Sequence, residues 1–85
     1  MFLRIFCIYD AVAKTHGTPF FLPETAQAQR EFKNCANNPE HAFCRNPSDY
    51  TLYELGQFDI ESGMIDIYEK LEHLSTAASY KDTPE

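Results

Sequence analysis

Eighty-five residues with a formal charge of −6 make one small domain and exclude the ordinary basic module that grips nucleic acid through its phosphates. Hydrophobic content of 44%, with seven Phe and five Tyr, excludes a disordered chain. No apolar run approaches the ~18 residues of a membrane span, so none is expected.

The charge is uneven. From Asp49 onward nine acidic residues face two basic ones, Lys70 and Lys81; before it, Arg4, Lys14, Arg30, Lys33 and Arg45 outnumber four acids. Cys7, Cys35 and Cys44 form an odd set, unlike the even disulfide framework of a small secreted domain, so reduced thiols in a cytosolic setting are expected. Ala11-Val12-Ala13 imitates a signal-peptidase site, but Arg4 and Asp10 interrupt the run before it.

In chain order, Met1–Tyr9 is apolar on both faces of an extended chain and predicts a strand covered on both sides, with a short buried helix as the alternative. Asp10–Gly17 is polar, and Gly17-Thr18-Pro19 breaks it. Phe20 and Phe21 follow, held between Pro19 and Pro23. Glu24–Ala36 is the one strong helix: Glu24 and Lys33 suit its dipole, Ala28, Phe32, Cys35 and Ala36 share a stripe, and Asn37-Asn38-Pro39 stops it. Residues 37 to 49 predict a loop. Tyr50–Phe58 and Met64–Tyr68 predict a β-hairpin closed by Asp59-Ile60-Glu61-Ser62-Gly63. Leu71–Ser79 has room for a turn of helix, and 81–85 reads as a disordered tail.

These elements predict a single α+β domain over residues 1–80, one helix packed on a small, mainly antiparallel three-stranded sheet in the order β-α-β-β. Two open edges make a homodimer through sheet edges an expectation.

The candidate chemistry is sparse. Cys35, His41 and Cys44 lack the close paired spacing and the fourth ligand of a structural zinc site. No histidine or cysteine sits in a recognisable nucleophile–base arrangement. No metal, cofactor or catalytic residue is therefore expected. Arg4, Lys14, Gln27, Arg30, Lys33 and Arg45 are the candidate surface for DNA or a partner, set against the commoner reading of a solvated face. Tyr50 and Tyr53 are the candidate aromatic platform for bases. Against that stand the burial usual for aromatics and the carboxylates Asp49, Glu54, Asp59, Glu61 and Asp66, which would repel phosphates.

Three segments carry a family resemblance: the strand ending Ile8-Tyr9-Asp10; Gly17-Thr18-Pro19-Phe20-Phe21 with Ala28-Gln29-Arg30-Glu31-Phe32; and Pro47 through Asp59, closing on Ser62-Gly63. In that order they resemble the small nonstructural protein of microviruses, the single-stranded DNA bacteriophages, and of their gokushovirus branch in particular. The segment Asn34–Arg45 matches loosely and is richer in Cys. The resemblance implies a non-enzymatic factor in the infected cell's cytoplasm that joins the viral replication complex or procapsid as replication turns to single-stranded synthesis and packaging. It implies direct contact with single-stranded DNA less strongly, and transfers no site residue. The alternative is a dimeric structural protein or host-directed modulator that never touches DNA.

Overall fold

A computed structural model describes residues 1–80; the expected tail at 81–85 lies outside the described residues. Five strands and three helices occur in the order β1 (Phe2–Asp10), β2 (Thr15–His16), β3 (Phe20–Leu22), α1 (Thr25–Ala36), α2 (Ala42–Arg45), β4 (Tyr50–Asp59), β5 (Ile65–Thr76) and α3 (Ala77–Tyr80), with a 3-10 turn at Pro47–Asp49. The fold class is α+β as the sequence predicts. The three-strand count and the simple β-α-β-β order are not, and each departure has a local cause.

The sheet is antiparallel throughout, in the order β2-β1-β4-β5, with β3 pairing the same edge of β1 as β2. β2 and β3 have two and three residues, too few for a period-two pattern to show. They exist because a turn and two prolines hold them against β1. Asp10 Oδ1 accepts from Val12 N at 2.9 Å and Ala13 N at 3.2 Å, Lys14 takes a left-handed φ of 59°, and Gly17 N returns to Ile8 O at 2.8 Å.

β5 runs to Thr76 and does not end at Tyr68, so the helical turn expected over Leu71–Ser79 is confined to Ala77–Tyr80. From Ile65 to His73 every residue but Tyr68 is exposed, so a strand solvated on both sides shows no alternation to read. Its ladder with β4 is interrupted: Glu72 stands opposite Glu54 and Ile67 opposite Gly56, leaving Tyr68–Leu71 as a wide bulge against Leu55. At Gly56 the backbone of β5 comes so close that an added Cβ would lie 2.2 Å from Asp66 O. Gly63, with φ 77°, supplies the left-handed corner of the β4–β5 connection.

Helix α1 starts where Gln27 Oε1 accepts from the Glu24 N–H at 3.1 Å, the returning half of a capping box. It ends at Asn37, whose Nδ2 donates to Lys33 O at 3.0 Å and Tyr80 O at 2.9 Å, tying α1 to α3. Its buried stripe is Ala28, Phe32 and Ala36, with Cys35 at the margin. These close on Phe6, Leu52 and Ala77 to form the core. Rings extend it: Phe6 stacks on Phe20 at 5.7 Å, Phe32 meets Phe43 at 5.3 Å and Tyr80 at 6.0 Å, and Phe43 packs on Tyr50 at 4.6 Å. The expected 37–49 loop thus contains α2 because Phe43 is drawn into the core. His41 Nδ1 caps it by accepting from Phe43 N at 3.2 Å.

A twelve-residue helix spans only about 18 Å, whereas the molecule extends 46 Å along its long axis. The helical layer therefore covers one part of one face and leaves one end of the sheet without a helix. On the face away from α1, Ile5 and Cys7 are nonetheless buried, at 3% and 1% exposed, so the middle of β1 is covered on both sides as the sequence predicts.

Candidate functional site

Strand pairing fixes which side chains share the face away from α1. Tyr9 lies opposite His16 and Thr51, Cys7 opposite Tyr53, and Tyr53 opposite His73. Farther along, Ile5 lies between Phe21 and Gly56, Gly56 opposite Ile67, and Phe58 between Leu3 and Ile65. None of these paired positions carries a charged side chain, in a chain whose net charge is −6.

One end of this face is aromatic. Tyr9 and His16 lie 4.7 Å apart between ring centres, Tyr9 and Tyr53 6.5 Å, His16 and Tyr53 6.0 Å, and Tyr53 and His73 5.7 Å. The two histidines are exposed and the two tyrosines half-buried. Such a row offers ring faces together with hydroxyl and imidazole edges, the chemistry that receives unstacked bases or a protein surface of mixed polarity.

Of the two tyrosines expected to form a platform, only Tyr53 stands on this face. Tyr50 is two registers along the other face, packed on Phe43 beside the core. Tyr9, His16 and His73 went unnoticed because they come from three separate strands. The period-two position of Tyr9 was visible, but the two-residue partner strand carrying His16 was not.

The candidate cations are dispersed over different elements. Arg30 and Lys33 are exposed one turn apart on α1, Gln27 is engaged at the helix start, Lys14 sits in the β1–β2 turn, and Arg45 closes α2.

Arg4 is committed to Glu54, Nη1 to Oε2 at 3.1 Å. Glu54, which in the sequence looks like one more surface acid, is 2% exposed. It also accepts from Thr25 Oγ1 at 2.9 Å and from Tyr68 OH at 2.5 Å. A buried carboxylate is tolerable when donors surround it, and here they come from β1, α1 and β5. Its hydrogen bond raises the pKa of Tyr68 above its ordinary value, with burial adding to the effect, and it raises Arg4 as well, there against burial. Glu54 therefore does not repel phosphates from the hairpin surface; it ties four elements together.

Burial pushes the thiols of Cys7 and Cys35 upward, for Cys35 with help from the Glu31 charge. Both are thus shifted away from the thiolate form a nucleophile or metal ligand needs. Among the described residues, no three His, Cys, Asp or Glu side chains converge as metal ligands, and no helix is long and apolar enough to cross a membrane.

On the helical side, an open apolar cleft of about 370 Å³ lies among Ile8, Phe20, Leu22, Phe32 and Phe43, with Glu31 and Cys35 among its lining. Comparison with curated proteins found no match, and neither did comparison with solved structures. A family model described as phage ORF5 protein matches residues 3–80, which takes in every strand and helix described above except Phe2, the first residue of β1. The chain belongs to the phage ORF5 protein family.

Proposed function

We propose that this phage protein is a non-enzymatic accessory factor in viral single-stranded DNA synthesis and genome packaging. It works in the cytoplasm of the infected bacterium through contacts with replication or procapsid proteins, and holds single strands weakly. Membership of a phage family supports the setting, and the microvirus resemblance supports the stage. The observation that carries the molecular reading is the Tyr9–His16–Tyr53–His73 row on a face free of charged side chains at its paired positions. Bases stack on such rings at roughly 1–3 kcal/mol each, which needs no basic groove.

The net charge of −6 favours a second reading, in which the same face receives only protein. A fluorescent single strand titrated at two salt concentrations separates the two. The DNA reading requires a Tyr53→Ala variant to bind about 5- to 150-fold more weakly, as loss of one stacked base implies. It also requires a salt slope near −2, from two or three phosphates at about −0.7 each. If binding falls in Arg30→Glu/Lys33→Glu and not in Tyr53→Ala, the contact lies on α1. Deleting the gene should lower single-stranded viral DNA and packaged genomes while double-stranded forms persist; unchanged levels of both would refute the replication and packaging role.

A further inference from the structure

Among the described residues, nine large hydrophobic side chains are exposed, and seven of them gather at one end of the sheet. These are Met1, Phe2, Phe21, Ile60, Met64, Ile65 and Ile67, each between 44% and 68% exposed. Pairing brings them together: Ile60 N donates to Met1 O at 3.1 Å, Phe2 lies opposite Asp59, Phe21 opposite Ile5, Ile65 opposite Phe58, and Ile67 opposite Gly56. None of the seven belongs to the core that α1 closes.

We propose that this end is a homodimer interface, in which a second copy of the chain packs sheet against sheet over Phe21, Ile65 and Ile67. Phe2 and Met64 point to the opposite face with Asp59, so the shared face and the end of the ladder present Met1, Phe21, Ile60, Ile65 and Ile67. At roughly 200 Å² for a large side chain, five that are about half exposed offer on the order of 500 Å². That is within what the largest apolar patch of a monomer reaches and below the about 800 Å² each partner contributes to a standard stable interface, so the dimer is a weak one that forms only as concentration rises. The charges at this end select the occupant. Asp59, Glu61 and Asp66 surround the patch, and Arg4, the nearest cation in the ladder, is held by Glu54. An anionic membrane or a nucleic acid would be repelled there. A two-fold arrangement lays apolar rows on apolar rows and leaves both acidic rims in water. The contact is face to face and does not use the β5 edge, which is broken by its bulge and studded with Glu69, Lys70 and Glu72 in the manner that discourages edge pairing.

Light scattering on the eluted 85-residue chain at ~100 μM tests this. The expected result is twice the 9.8 kDa chain mass. The Ile65→Lys/Ile67→Lys double variant and, independently, the Phe21→Lys variant should each return one chain mass with unchanged far-ultraviolet circular dichroism. Val12→Lys, at the opposite end and 73% exposed, should remain dimeric. A monomeric parent, or a dimer that survives both the double variant and Phe21→Lys, overturns the proposal. Tyr53→Ala should stay dimeric, so failure of DNA binding leaves this result intact.

Discussion

Glu54 shows how differently one residue reads in sequence and in space. Beside Tyr53 and Leu55 in a strand of mixed polarity it is indistinguishable from a solvent-facing acid, because its three donors lie 50, 29 and 14 residues away. Tyr68 is the donor whose loss can be followed most cleanly. Tyr68→Phe should cost about 1–2 kcal/mol in denaturant unfolding at neutral pH, the scale of a hydrogen bond to a charged acceptor. Because folding raises the pKa of this phenol, its contribution is complete below the unfolded value of about 10 and is lost as pH rises through the higher folded value. The stability gap between parent and Tyr68→Phe should therefore close in alkaline solution above about pH 10. A gap that stays constant there would mean the hydroxyl acts by packing alone. The aromatic row is the converse case: Tyr53 was legible as a strand residue, but its partners Tyr9, His16 and His73 become neighbours only once the register is known.

At the scale of elements, long periodic segments were legible and short or solvated ones were not. The Ala28–Phe32–Ala36 stripe marks α1 because burial on one side imposes a helical period. β1 and β4 are rich in aliphatic and aromatic residues for the matching reason. β2 and β3 are held by a turn and by flanking prolines, which set chain direction without any alternating pattern. The far half of β5 escapes notice because water meets both of its sides. Gly56 fixes where β4 and β5 cross most closely, and any Cβ there meets backbone, which cannot rotate away. Gly56→Ala should destabilise the fold by about 1–3 kcal/mol through overpacking. Gly63→Ala, with nothing within 4 Å, should cost about 1 kcal/mol by conformational strain alone. Equal losses from the two substitutions in parallel thermal melts would remove the distinction drawn between a crowded and a merely left-handed glycine.

For the whole molecule, the governing fact is a charge of −6 on a sheet that its helices only half cover. Composition announced the acidity, and the order of elements gave the layer; neither could reveal which end would be left bare, since that follows from an 18 Å helix on a 46 Å body. Charge and bare surface together predict opposite responses to ionic strength. Association of two acidic copies through apolar side chains should strengthen as salt screens their repulsion, while any hold on a single strand should weaken. Sedimentation and oligonucleotide titration at ~50 and ~300 mM salt would show both trends in one preparation. Dimerisation that weakens with salt would mean that ion pairs hold the copies together.

The interruption in β5 divides the hairpin in time as well as in space. Tyr68–Leu71 lack partner positions on β4, whereas Ile65–Ile67 on one side and Glu72, His73, Ser75 and Thr76 on the other have them. Backbone amide exchange should therefore show two slow stretches separated by a fast one within what is nominally a single strand. The outer stretch can open while the inner one stays closed beside the core. The distal end, where the apolar side chains collect, would then be a local unfolding unit that fluctuates without melting the domain, and docking a second copy there should slow its exchange.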